Sequence, residues 1–172
     1  MNKHLTILET ERLRLKRLQP SDVVALVDLW YDPQVTKYMG GPRDRTKLLA
    51  DFEDAVKDPF ADSYDFWPVE EKQAGNLIGH CGLLEKEVEG VEEIELIYVF
   101  STTAWGKGYA TEMGSALKRY TFNELKLTKL IALINPENAA SERVAVRVGM
   151  HFEKELIRSE GHIRKFYIVS RT

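Results

Sequence analysis

The chain reads as a mixed α/β fold in which an antiparallel meander runs into a βαβ unit. Two observations predict this. Three consecutive strand-like segments, Tyr64 to Glu71, Asn76 to Glu87 and Glu92 to Ser101, are separated by QAGN and EVEG, which have the composition of hairpin turns. Beyond them, the glycine-opened amphipathic stretch AWGKGYATEMG, Ala104 to Gly114, leads to a nearly continuous apolar run, LTKLIALIN. That is a helix followed by a buried strand.

The other elements fall around this core. RLRLKRL, Arg12 to Leu18, alternates basic and apolar residues, the period of a half-buried strand. Gln19-Pro20-Ser21-Asp22 then reads as a turn into a helix, with Ser21 or Asp22 as its cap. Val24, Leu26, Val27, Trp30 and Tyr31 supply that helix with an apolar stripe, and it ends at Asp32, which precedes a proline. A second helix is expected from about Arg43 to Lys57, carrying Leu48, Leu49, Phe52 and Val56. In the glycine-opened helix Tyr109, Met113, Ala116 and Tyr120 share a face. SERVAVRVG is a short helix stopped by Gly149, and HFEKELIRS and HIRKFYIVS are the last strands, turning at Gly161. The order is β, α, α, three strands, α, β, α, β, β. No repeat, linker or Pro/Gly cluster interrupts it, so residues 1–172 are read as one domain.

Composition narrows the functions. Hydrophobic residues make up 44% and charged residues 30%, ordinary for a soluble globular chain. A net charge of −3 argues against a general nucleic-acid binder, which carries a basic excess. The single cysteine, Cys81, rules out an intrachain disulfide and a multi-cysteine zinc site, and the four histidines show no ligand spacing, so no metal is expected. The N-terminal stretch lacks the apolar core of a signal peptide, and no apolar run is long enough to span a bilayer. A cytoplasmic, non-membrane location is the expectation. His80 and Cys81 are adjacent, but strand neighbours point to opposite faces, so Cys81 reads as a buried structural thiol. Trp30, Trp67 and Trp105 read as core or cleft-wall residues, and Tyr64 and Trp67 share the first strand of the meander.

The glycines invite a phosphate-site reading. A P-loop is excluded because no glycine lies five residues before Gly106. A dinucleotide fingerprint is incomplete, since Thr111 stands where its third glycine belongs. The physical context is more specific than either motif. A strand runs into a loop, glycines open a helix, and helix N-termini offer free N–H groups and partial positive charge. Gly106 and Gly108 permit close approach of a ligand, and Lys107 adds charge. The same residues also suit an ordinary turn.

EIELIYVFSTTAWGKGYATE, Glu93 to Glu112, resembles the acetyl-CoA-binding core of the GNAT N-acetyltransferases, and most closely their RimJ/RimL-type branch. NPENAASERVAVRVGMHFE, Asn135 to Glu153, resembles the family's N-x-x-S-x-x-V-x-x-x-x-G-[FM] segment through Asn138, Ser141, Val144, Gly149 and Met150. TERLRLKRLQPSD, DPQVTKYM and NLIGHCGL add looser matches, so the likeness runs in order along nearly the whole chain. It implies a GNAT-like α/β domain with a mixed, mostly antiparallel central sheet flanked by helices. It also implies acetyl-CoA as co-substrate, without a metal, and an amine acceptor, either a small molecule or a protein N-terminus. The chain would act as a monomer or homodimer.

The resemblance also assigns residues. Gly106, Lys107, Gly108, Tyr109 and Ala110 would surround the pyrophosphate with N–H groups. Tyr98, Val99 and Phe100 would pair main-chain groups with the pantetheine amides, and Asn138 would contact the same arm; a loop asparagine bonded to its own turn is the alternative. Glu95 would be the general base, in a cleft walled by Ile94, Leu96 and Tyr98, with Glu93 competing on the same face. Ser141 would hydrogen-bond the departing sulfur, directly or by water, and stand in as general acid, or else simply cap its helix. Arg143 and Arg147 share a helix face, either solvated or near the coenzyme's 3′-phosphate. There are departures from the family pattern: Thr103 stands for Gln or Arg, Ala104 for an aromatic, Ile97 for glycine, and Ala145 for the tyrosine that serves many members as general acid. The alternative function is a catalytically weak acyl-CoA sensor.

Overall fold

A computed structural model describes residues 5–62 and 64–172. In chain order the elements are β1 (Thr6–Glu9), β2 (Leu13–Lys16), α1 (Val23–Tyr31), α2 (Arg45–Ala55), β3 (Phe66–Glu71), β4 (Asn76–Val88), β5 (Val91–Phe100), α3 (Tyr109–Asn123), β6 (Lys129–Ile134), α4 (Ala139–Val148), β7 (His151–Ile157) and β8 (Ile163–Ser170). All eight strands join one sheet in the order β1-β2-β3-β4-β5-β6-β8-β7. Only the β5–β6 pair is parallel; every other neighbour is antiparallel.

The mixed sheet and the expected meander are both present. Strand β1 is an addition that alternation did not flag. It is a four-residue edge strand whose side chains are only half buried, so it carries little of the period-2 signal. In β2, by contrast, Leu13 and Leu15 are fully buried while Arg14 and Lys16 turn outward to Glu70 and Asp22.

The helices divide between two faces. Helices α3 and α4 cover one face through Met113, Leu117, Ala145 and Val148, which pack with Leu83, Leu96 and Leu130 of the sheet. On the other face, Leu26 and Trp30 of α1 pack with Val99, and Leu48 and Phe52 of α2 join them at the margin. The α1 stripe differs from the expected one. Val23, Leu26, Val27 and Trp30 are buried, whereas Val24 and Tyr31 are exposed. The helix starts at Val23, and at 100° per residue positions 24 and 31 fall together on the flank of the buried face. No side chain caps α1; the Asp22 carboxylate instead accepts from the Gln19 N–H at 2.9 Å and from Lys16 Nζ at 2.7 Å. Asp44 does cap α2, accepting from the Lys47 N–H at 2.7 Å.

Gly82 shows why one strand residue has no side chain. A Cβ there would lie 1.8 Å from the Asp65 carbonyl oxygen, where the chain enters β3.

Candidate active site

The site begins where β5 and β6 part. Their pairing holds only at Glu95 and Ile131. Strand β5 stays paired with β4 along its whole length, from Val91 to Phe100. The Ser101 N–H donates to the Ile78 carbonyl at 2.9 Å. Alternation along an antiparallel ladder therefore turns the main-chain groups of Val99 toward His80 of β4, and those of Tyr98 and Phe100 toward the opening fork. Tyr98 and Phe100 thus leave their main-chain groups facing the fork. Val99 does not: its backbone belongs to β4 and its side chain is buried beneath α1. The Phe100 carbonyl already accepts from Trp105 Nε1 at 2.9 Å. Trp105 is half exposed at the rim, whereas Trp30 and Trp67 are buried.

Glu95 occupies the crotch of the fork. The Leu133 N–H donates to its Oε1 at 3.3 Å, so the carboxylate receives a backbone group that parallel pairing would otherwise satisfy. Only 7% of the residue is exposed, and its nearest cation, Lys86 Nζ, is 3.9 Å away. Burial raises its pKa, opposed chiefly by Lys86 and less by the Leu133 N–H, Arg158 and Arg164. Its walls differ from those expected. Leu96 and Tyr98 pack on the α3/α4 face, so alternation sends Glu95 to the other face, with Ile97 and Val99. Glu93 shares that face and is equally buried, but Lys129 Nζ sits 2.6 Å from it in a close ion pair.

The glycine loop lies at the mouth of the fork. Trp105 to Gly108 are exposed, and Gly106 and Gly108 have φ of 74° and 80°, the left-handed region that suits glycine. Gly108 is the N-cap of α3, and no side chain caps the helix there. Its first-turn N–H groups, at Tyr109 and Ala110, therefore face the loop without a side-chain acceptor, and Lys107 stands exposed beside them.

Helix α4 closes the other side. Asn138 is its N-cap, accepting from the Ser141 N–H at 3.1 Å. The capping function thus falls to Asn138, and Ser141 lies within the first turn. The Tyr98 hydroxyl donates to the Ser141 carbonyl at 2.9 Å and lies 3.1 Å from Ser141 Oγ. Burial pushes the Tyr98 phenol up to about 12, so it stays protonated at neutral pH. Ala145 is wholly buried in the core, and Arg143 and Arg147 are exposed.

A cavity of about 660 Å³ opens on the α1/α2 face of the same sheet. Trp30, Phe52 and Phe66 wall it, with Asp62 and Asp65 at its margin. His80, on its floor, accepts from Trp30 Nε1 at 3.0 Å through Nδ1. Burial lowers the imidazole pKa to about 3, weakly opposed by the Phe66 carbonyl. His80 is therefore neutral with its proton on Nε2, a donor and not a base. Cys81 points into the opposite core, where burial pushes its thiol up to about 12, as fits a structural thiol. Among the described residues no cluster of His, Cys, Asp and Glu is suited to a metal, and no helix is long and apolar enough to cross a membrane.

Sequence reasoning passed over two contributors, Arg12 and Glu112, which meet across the chain. An acidic residue one turn inside a glycine-opened helix was the available signal for Glu112.

The geometry agrees with comparison to known proteins. Residues 12–151 match the family model described as an acetyltransferase (GNAT) domain. The uncharacterized protein YkkB of Bacillus subtilis (strain 168) is 34% identical over 152 residues, 88% of either chain. The uncharacterized N-acetyltransferase p20 of Bacillus licheniformis is 31% identical over 150 residues, 86% of this chain and 83% of that protein. The crystal structure of a GNAT-family acetyltransferase from Bacillus anthracis superposes with a TM-score of 0.79 at 25% identity, covering 95% of this chain and 97% of the other. A forked mixed sheet with a glycine-opened helix at its mouth, matched over most of its length, places this chain in the GNAT acetyltransferase family.

Proposed function

We propose that the protein transfers an acetyl group from acetyl-CoA to a primary amine by direct attack within a ternary complex, as a member of the RimJ/RimL-type branch. The observation that carries this reading is Glu95, a buried carboxylate whose nearest cation, Lys86, stands 3.9 Å away, at the point where β5 and β6 separate. Its raised pKa suits it to accept the proton that the ammonium or attacking amine gives up, directly or through a water. The main-chain groups of Tyr98 and Phe100 would line the pantetheine arm. N–H groups from Gly106 to Ala110 would hold the pyrophosphate, with Lys107 adding charge. Asn138 would keep its amide NH₂ for the arm while its oxygen caps α4. As the C–N bond forms and the C–S bond breaks, Ser141 would hydrogen-bond the departing sulfur and relay it a proton from water, its own hydroxyl being reprotonated in the same step. That requires the Ser141 hydroxyl to turn from Tyr98, 3.1 Å away in the free protein.

The aromatic cavity with Asp62 and Asp65 at its margin suits an acceptor with an apolar body and a positive charge, which fits a small amine or a protein N-terminus. The sensor reading draws on one observation: Ala145 offers no acid and Ser141 is engaged. A melt with acetyl-CoA, with ATP and NAD as controls, tests the coenzyme assignment. At 100 times the dissociation constant, binding should stabilise by about 2.7 kcal/mol. A screen of amines and peptide N-termini for acetylation then separates enzyme from sensor, since a sensor would melt higher yet acetylate none.

A further inference from the structure

Arg12 lies in the turn between β1 and β2, yet its side chain reaches the glycine loop some 95 positions away in sequence. Its Nε and one terminal nitrogen both lie 2.7 Å from Glu112 Oε2, and its main-chain N–H donates to Glu112 Oε1 at 3.0 Å. The Thr10 hydroxyl donates to the same Oε1 at 2.6 Å. The guanidinium also lies over the Tyr109 ring, 4.4 Å from its centroid. Its remaining terminal nitrogen donates to the Lys107 carbonyl at 2.8 Å.

That last bond has a geometric consequence. In a trans peptide the carbonyl of one residue and the N–H of the next point in opposite directions. Holding the Lys107 carbonyl toward Arg12 therefore aims the Gly108 N–H away from it. Gly108 forms one side of this peptide, with φ of 80°, and glycine adopts either sign of φ at little cost. The freedom that lets a ligand approach the loop also lets the peptide flip. Glu112, Thr10 and Tyr109 fix the guanidinium, and the guanidinium fixes the peptide.

Resting on the reading that this loop holds a pyrophosphate, we infer that Arg12 is a positioning residue for that group, keeping the Lys107–Gly108 peptide oriented for anion binding. A purely structural Arg12 would lower stability without distinguishing ligands. A positioning Arg12 acts on the pyrophosphate alone.

The test compares acetyl-CoA with S-acetylpantetheine, which carries the thioester arm but no pyrophosphate. Coenzyme A and pantetheine binding are measured by calorimetry in parallel. For Arg12→Lys the KM for acetyl-CoA should rise about tenfold, the size of one charge-assisted contact, with kcat retained. The KM for S-acetylpantetheine should not change. Glu112→Gln keeps the side-chain shape but loosens the guanidinium, and should give a smaller selective loss, which serves if Arg12→Lys does not fold. Equal losses for both substrates, or none for either, would overturn the inference while leaving the acetyltransferase reading intact. Failure of the native protein to bind coenzyme A would overturn both.

Discussion

Glu95 and Glu112 flank one fork and differ in almost every physical respect. Glu95 is nearly inaccessible, held by one long hydrogen bond and a distant lysine, and its pKa is raised. Glu112 is more exposed and amply partnered. Its burial raises the pKa, but Thr10 and both the backbone and side chain of Arg12 together bring it below the ordinary value. A carboxylate saturated with donors is fixed in charge and place, and serves as a strut. One that burial makes easier to protonate, with only a loosely placed cation beside it, is suited to take up a proton, and serves as a base. Glu93 is as buried as Glu95 yet sits in a close ion pair with Lys129, so burial alone does not make the difference.

The largest effect expected is on Glu95. Glu95→Gln should lower kcat by about 100-fold or more while coenzyme A affinity stays unchanged. Because a carboxylate with a raised folded pKa destabilises the fold at pH values above it, the same variant should melt at or above the native temperature at neutral pH. Glu93→Gln should show the reverse pattern, near-native kcat with a lower melting temperature, because it leaves Lys129 unpaired. Similar kinetic losses in both variants would erase the distinction.

Gly108→Ala comes next. At φ of 80° a side chain is strained, at a cost of about 1–2 kcal/mol, and the new Cβ would lie 3.5 Å from the Arg12 guanidinium. Weaker coenzyme A binding together with a lower melting temperature is expected from titration calorimetry and a thermal melt.

Acid stability tests Glu112. Its folded pKa lies below the ordinary carboxylate value, so its contribution is present above that value and is lost as pH falls through the folded pKa. Melting temperature between neutral pH and about pH 3 should therefore fall less steeply in Glu112→Gln than in the native chain. Parallel curves would mean that the clamp contributes no linked stability.

The smallest effect sharpens the description of the base. Lys86 is the main influence opposing the burial-driven rise in the Glu95 pKa. Lys86→Met should move the acidic limb of the kcat/KM profile to higher pH without lowering its plateau. An unmoved limb would assign that ionisation to another group.

Most elements were legible because their signals are local. The three meander strands, the glycine-opened helix and the stop at Gly149 lie within a few residues of where period, turn composition and glycine placement put them. Gly149 has φ of 97°, a conformation its position after a helix already suggested. The loop from Gly106 to Ala110 was legible for the same reason. Strand β1 was not, because an edge strand carries only part of the alternation.

The site divides along the same line. Period 2 put Glu93 and Glu95 on one face but could not choose between them, since the choice depends on Lys129 arriving from β6 and Lys86 from β4. It could not show that the Val99 backbone turns to His80, because that follows from ladder parity set by a partner strand. Nor could it decide whether Asn138 or Ser141 caps α4, or bring Arg12 to Lys107. The amino-acid order alone determined the repertoire: which segments become strands and helices, where the backbone must bend left-handed, and which residues carry protons. Tertiary structure decided which of those groups act, because desolvation, ion pairing and hydrogen-bond parity are set by segments far apart in the chain that meet only once it is folded.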